Sequence, residues 1–220
     1  MKIITKGKCL KCGEIYSPKK VADHLLLCAY PRPSSSTLSN GYLIKVAYKE
    51  ASNIYWMFIT LSNDTSLLVL DEFLRGIWLE CCGHLSKFIF GDQRIISHSE
   101  SGNISKVMKK QIRSFVSPRQ RFGYIYDMGS STELTLDIID NIPVNSPKNK
   151  ITLLIRNEAP TYLCESCNKS ADLICSFCGQ TICNKCQNKH SCAVEENDTY
   201  MLMPIVNSPR TGVCAYCAEE

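Results

Sequence analysis

The sequence predicts an α+β protein: a mostly antiparallel sheet with one central helix packed across it, flanked by small cysteine-rich modules. Three observations predict this. Residues 64–85 place Leu67, Leu70, Leu74, Ile77, Trp78, Cys81 and Leu85 at steps of three and four, the period of a helix with one broad buried face. Around that stretch lie short segments in which apolar and polar residues alternate, the period of a strand. Outside 41–160 the chain holds twelve of its fourteen cysteines, and ten of those twelve fall in Cys-x-x-Cys pairs.

With 220 residues the chain can bury one core domain with small appendages, and its 45% hydrophobic content is ordinary for a globular protein. The net charge of +4 is unevenly spread: 1–33 carries seven Lys/Arg against two acids, 34–160 fourteen against twelve, and 161–220 four against seven. A basic head and an acidic tail exclude a uniformly basic, nucleic-acid-wrapping surface. The opening MKIITKGKCLKCG lacks the apolar core of a secretion signal, and apolar runs of about eight residues, as in 54–61, fall far short of the roughly 20 that span a bilayer. The expectation is a cytoplasmic protein with no membrane partner. In a reducing compartment, cysteines paired across a tight turn hold metal rather than form bridges, and tetrahedral thiolate sets suit zinc.

Residues 1–30 read as a zinc-finger module. Cys9 and Cys12 form one knuckle, and His24 and Cys28 follow four residues apart. On a helix that spacing puts both side chains on one face, within reach of one ion. Ser17-Pro18 signals the helix start, with Tyr16 and Val21 as an apolar plug. The pattern resembles a classical zinc finger with Cys as last ligand, with eleven rather than twelve residues between Cys12 and His24. So short a piece takes its folding energy from metal. A lone finger reads only about three base pairs, so Lys19, Lys20 and Asp23 on its helix read as solvated surface. Residues 31–40, dominated by Pro and Ser, read as a linker.

The core domain is expected over 41–160. Strands are predicted at 42–48 and 54–61, with Ala51-Ser52-Asn53 as the turn. The central helix follows, capped by Asp64, Thr65 or Ser66 and ended at Gly83, with Asp71 and Arg75 one turn apart on its wet side. A short strand at 87–90 precedes a polar loop at 93–103. Ile104, Met108, Ile112 and Phe115 predict a second helix at 104–116. Lys106, Lys109, Lys110 and Arg113 share that helix, and Arg119 and Arg121 extend the run, so 102–121 has six positive charges and no acid. The run suits a phosphate backbone, and equally the solvated face of an amphipathic helix. Strands at 121–127 and 133–140 form a hairpin around 128–132, and 151–156 is the last strand. Asp127 at that loop reads as a turn cap.

Two segments, FLRGIWLECCGHLSKF at 73–88 and YIYDMGSSTELTLDI at 124–138, resemble the Ri-plasmid open-reading-frame-three family, also labelled transposon-passenger TnpR-like. Tyr126-Asp127-x-Gly129 is similar to that family's Tyr-Asp-Phe-Gly segment, with Met128 in place of Phe. The tail PIVNSPRTGVC at 204–214 resembles its zinc-bearing branch. The resemblance covers roughly 41–160 and implies an α+β fold, with no reaction to carry over. Within it, Cys81, Cys82 and His84 read as two small buried residues and a helix-terminal histidine, because neighbours on a helix point about 100° apart. The other reading makes them thiol or metal ligands.

Residues 161–220 read as a double-zinc module. Cys164, Cys167, Cys175, Cys178, Cys183, Cys186, His190 and Cys192 give eight ligands for two tetrahedral sites, and the series resembles B-box and MYND-type modules. Interleaving would set Cys164, Cys167, Cys183 and Cys186 on one ion and the other four on the second; sequential pairing satisfies the spacing too. Cys214-x-x-Cys217 is a further knuckle, either joined to Cys81, Cys82 or His84 or left as a free dithiol. The stretch 199–213 is apolar enough to pack back on the core.

About three zinc ions per chain follow from twelve ligands in closed four-ligand sites. Catalytic zinc keeps a position for water, and no phosphate loop, dinucleotide glycine pattern, nucleophile elbow or His-Glu-x-x-His is present. The expected role is a non-enzymatic adaptor with a protein partner, resembling the use of B-box and MYND modules. One alternative is a nucleic-acid-binding factor linked to mobile elements, using the finger and the basic run. Another is an enzyme using the loop at 126–129.

Overall fold

The chain in the computed structural model is described over residues 3–28, 38–144, 150–192, 201–214, 216 and 217. It divides into two units: Met1–Ile77 with His84–Glu158, and Trp78–Gly83 with Ala159–Glu220. The fold is α+β and mostly antiparallel.

The first unit opens with a small hairpin, β1 (Gly7–Lys8) and β2 (Ile15–Tyr16), followed by α1 (Val21–Cys28). Seven further strands form one antiparallel sheet: β3 (Ser39–Tyr48), β4 (Trp56–Ser62), β5 (Ser86–Phe90), β6 (Gln93–Ile96), β7 (Arg121–Tyr126), β8 (Thr132–Val144) and β9 (Ile151–Arg156). Their order is β6-β5-β7-β8-β3-β4-β9. Each expected strand is present. The polar stretch at 93–103 departs from the expected loop, because Arg94 and Ile96 face outward while Gln93–Ile96 pairs with Ser86–Phe90 as an edge strand. The expected linker at 31–40 falls mostly outside the described residues, and β3 already begins at Ser39.

Both faces of the sheet centre are covered, which is why every residue of β4 is buried. On one face Leu43, Ala47, Trp56, Phe58, Leu154 and Ile155 share a core with Cys9, Val21 and Leu25 of the N-terminal module. Val21 and Leu25 are fully buried there, a stabilisation of about 1.5–3 kcal/mol each. The module is thus docked on the sheet. Gly7 sits so close to β9 that a Cβ would lie 2.4 Å from the Arg156 carbonyl oxygen, so only glycine permits this approach.

The central helix is shorter than its apolar period. α2 spans Leu67–Leu74, starts at Ser66, whose hydroxyl accepts the Val69 N–H at 3.3 Å, and runs into a π-helical turn at Arg75–Leu79. Leu67, Leu70, Leu74, Trp78 and Leu79 are buried. The π turn adds a residue to the spiral and shifts the apolar face onto Leu79. Cys81 is therefore only half-buried, and Leu85 is exposed. Asp71 and Arg75 do not face water as expected. Asp71 is 4% exposed; it takes Arg75 Nε at 2.7 Å and the Tyr124 hydroxyl at 2.7 Å, and it also bonds the Ser86 hydroxyl. The pair docks α2 onto β5 and β7.

The expected helix at 104–116 is replaced by two short 3-10 turns, Lys106–Lys109 and Ile112–Ser114. The backbone between them is claimed by the start of α2: Leu67 N–H donates to Lys110 O at 3.1 Å and Ile112 N–H to Thr65 O at 2.8 Å. That pairing holds Lys110 and Gln111 extended and interrupts the helix, while Met108 and Ile112 still reach the core.

The second unit holds a three-stranded sheet, β11-β10-β12, of β10 (Leu173–Cys175), β11 (Thr181–Ile182) and β12 (Leu202–Pro204). The tail forms β12, which pairs antiparallel with β10 of the cysteine-rich module. Met201, Leu202 and Ile205 pack against a small core of Cys164, Ala171, Cys175, Ile182 and Cys183.

Candidate metal centres

Three of the Cys-x-x-Cys turns share one backbone geometry. In each, the first cysteine's carbonyl accepts the N–H of the residue after the second: Gly13 to Cys9, Asn168 to Cys164 and Gly179 to Cys175, all at 2.8 Å. In each, the first cysteine's own N–H donates five residues on, to Glu14, Lys169 and Gln180. The closing residue is left-handed, with φ of +81, +57 and +77, which suits Gly and Asn. These bonds fold both sulphurs of a pair to one side and aim backbone N–H groups at them. The Cys183/Cys186 turn differs, with Cys186 N–H donating to Cys183 O at 2.9 Å before a short 3-10 turn at Gln187–Lys189.

Metal-ligating atoms gather in sets whose members lie within 4.8 Å of one another: Cys9, Cys12, His24 and Cys28; Cys164, Cys167, Cys183 and Cys186; Cys175, Cys178, His190 and Cys192. The second unit therefore brings its pairs together in the interleaved arrangement. In the first set the hairpin supplies two sulphurs and α1 supplies His24 and Cys28 one turn apart. A tetrahedral zinc with bonds of about 2.3 Å to sulphur and about 2.0 Å to nitrogen has S···S edges of about 3.8 Å and S···N edges of about 3.5 Å. The structure shows Cys9–Cys28 at 4.0 Å, Cys167–Cys183 at 3.6 Å, Cys12–His24 Nε2 at 3.4 Å and Cys178–His190 Nε2 at 3.5 Å. A disulfide, at about 2.05 Å, does not match these separations. His24 is fixed from behind, its Nδ1 bonded to the Tyr16 hydroxyl at 3.0 Å and its ring stacked on Tyr16 at 4.1 Å. Tyr16 was legible only as an apolar plug, because its hydroxyl partner lies on a different element.

A fourth gathering joins Cys81, Cys82 and Cys214 of the second unit, with His84 two residues beyond Cys82 in the chain. Cys217 is not part of it. The helical-neighbour reading of Cys81 and Cys82 fails because the helix has ended at Leu79.

Crowded thiols divide their protons unevenly. The Cys183 backbone N–H, foremost, brings the Cys164 thiol down to about 6, while hydrogen bonds with Cys183 and Cys167 push Cys186 up to about 12. Burial pushes Cys175 up, but the Cys178 N–H and His190 outweigh it and bring the thiol down to about 7. One set of sulphurs cannot all ionise side by side without a cation between them.

The basic run is solvent-exposed at Lys106, Lys109, Lys110, Arg113, Arg119 and Arg121. Arg113 pairs with Asp64 at 2.9 Å, and Arg121 forks onto Asp137. An open groove of about 530 Å³ collects Lys19 of the N-terminal module with Lys45 and Arg119, beside Asp137. Asp127 caps its own turn, its carboxylate accepting Gly129 N–H at 2.9 Å, and Met128, Gly129 and Ser130 are exposed. No helix among the described residues is long and apolar enough to cross a membrane.

No family model and no curated protein matches the chain. Among solved structures it is similar to the crystal structure of MM3350, a protein of unknown function from Methanosarcina mazei Go1, at 14% identity and a TM-score of 0.42, over 57% of this chain and 71% of that one.

Proposed function

We propose that the protein is a zinc-binding, non-enzymatic interaction module whose metal centres are structural. The observation that carries the reading is the closure of the sets: Cys9/Cys12/His24/Cys28, Cys164/Cys167/Cys183/Cys186 and Cys175/Cys178/His190/Cys192 each supply four protein donors, which leaves no position for a metal-bound water. Zinc in such sites holds short loops in shape and presents what lies on them. What lies on them here is apolar. Phe177, at the tip of the Cys175/Cys178 turn, is 78% exposed, and Leu163 beside Cys164 and Leu10 in the first turn are exposed too. A large aromatic held out on a rigid turn is the kind of anchor that protein interfaces use. Capture from native lysate with intact protein and Phe177→Ser tests this. The expected result is a nuclease-resistant protein partner, retained by the intact chain and lost with Phe177→Ser at unchanged zinc content. Equal capture by both proteins would contradict it.

A nucleic-acid reading draws support from the groove that gathers Lys19, Lys45 and Arg119. Its signature is nuclease-sensitive capture that weakens steeply with salt and with removal of residues 1–33.

A further inference from the structure

Outside the three closed sets, the densest metal-ligating chemistry is the meeting of Cys81, Cys82 and Cys214 within the second unit. On a helix the first two thiols would diverge by about 100°. Here regular helix stops at Leu79, and Gly83, left-handed at φ +70 with its N–H donated to Glu80 Oε1 at 2.6 Å, turns the chain. The two thiols leave a loop and converge. Cys214 arrives on a wound stretch of tail in which Val213 N–H donates to Arg210 O and Tyr216 N–H to Val213 O. Cys214 is itself left-handed at φ +52, a conformation that non-glycine residues hold when their surroundings enforce it. Its sulphur lies 4.0 Å from that of Cys82, the same separation as Cys9 and Cys28. A separate anchor brings the tail here: Ser208 Oγ donates to Trp78 O at 2.6 Å, both groups being buried.

We propose that Cys81, Cys82 and Cys214, three thiols of the second unit, form a fourth zinc site that clasps the 78–83 segment to the tail. Three thiolates fill three of the four positions of a tetrahedral zinc ion. Binding displaces the thiol protons, so loading releases protons to the buffer. Exposure distinguishes this site. Each closed set contains a buried thiol (Cys9, Cys164 or Cys175), whereas Cys82 and Cys214 are exposed and Cys81 is half-buried. Solvent and competing chelators reach this ion first, so it is the exchangeable one.

The test is zinc stoichiometry of the full chain by native mass spectrometry, with a colorimetric chelator to time release. The intact protein is expected to hold four zinc ions and to lose one of them in a separate, faster phase. Cys82→Ser and Cys214→Ser should each hold three and lack the fast phase, while Cys217→Ser keeps four. Because a serine variant that unfolds would shed more than one ion, thiol alkylation of the intact zinc-loaded protein gives a second readout: Cys82 and Cys214 should be protected relative to Cys217. An intact protein with three ions, unchanged by Cys82→Ser and Cys214→Ser, or one in which Cys82 and Cys214 alkylate as fast as Cys217, overturns the fourth site alone. An intact protein with no zinc overturns the three closed sites as well.

Discussion

Tyr16 shows how a single side chain turns a cysteine-histidine pattern into a site. Its hydroxyl bonds His24 Nδ1 and its ring stacks on the imidazole, which leaves Nε2 facing Cys12. Outer partners of this kind set the tautomer and aim of a metal-binding histidine. Tyr16→Phe keeps the stacked ring and removes the bond. It is expected to weaken zinc binding at the N-terminal set by about 10–100-fold in chelator competition, with the fold intact. Unchanged affinity would show that stacking alone orients the ring. The members of the clusters were legible in the sequence because a Cys-x-x-Cys turn and a His-x-x-x-Cys helix are local geometries. The closing residues Gly13, Asn168 and Gly179 were a further local signal, since each occupies the left-handed position after its pair. The Tyr16 hydroxyl was not legible as a partner, because nothing in its spacing ties it to His24.

Among the elements, α2 was legible by its period and was misjudged where distant strands intervene. Asp71 and Arg75, one helical turn apart, look like a surface pair until Tyr124 and Ser86 arrive from β7 and β5. Removing the carboxylate leaves a largely buried guanidinium without its counter-charge. Asp71→Ala is therefore expected to destabilise the first unit by about 3–5 kcal/mol, the usual cost of breaking a buried pair. Urea unfolding monitored by tryptophan fluorescence measures it, and a loss under about 1 kcal/mol, typical of exposed pairs, would contradict the buried-network role. The stretch 104–116 carried a helical period yet became two 3-10 turns, because Thr65 and Leu67 take its central backbone groups. Side-chain periodicity is silent about such non-local pairing, just as it hid the edge strand at Gln93–Ile96.

Across the molecule, two kinds of stability coexist. The seven-stranded sheet buries large apolar side chains on both faces, including Trp56, Phe58, Met57 and Ile59. The second unit has short strands and a small core made partly of clustered cysteines, Cys164, Cys175 and Cys183. A core that small buries too little to fold on burial alone, and under the proposed zinc reading metal supplies its folding energy. Protons compete with zinc for thiolates, so the proposed metal contribution is expected at neutral pH and is expected to be lost as pH falls. That cysteine clusters accompany an α+β sheet was legible from where the cysteines lie in the chain. The docking of the N-terminal module through Val21 and Leu25 was not, because Trp56, Phe58 and Leu154 meet them from far along the chain. The most direct measurement is native mass spectrometry of the full chain purified without chelator, at neutral pH and again after acidification. Filled closed sites and the exchangeable fourth predict a mass increase of four zinc ions with all fourteen cysteines reduced, lost on acidification together with the structure of the second unit. A metal-free mass at neutral pH, lowered by the hydrogens of disulfides joining these cysteines, would contradict it.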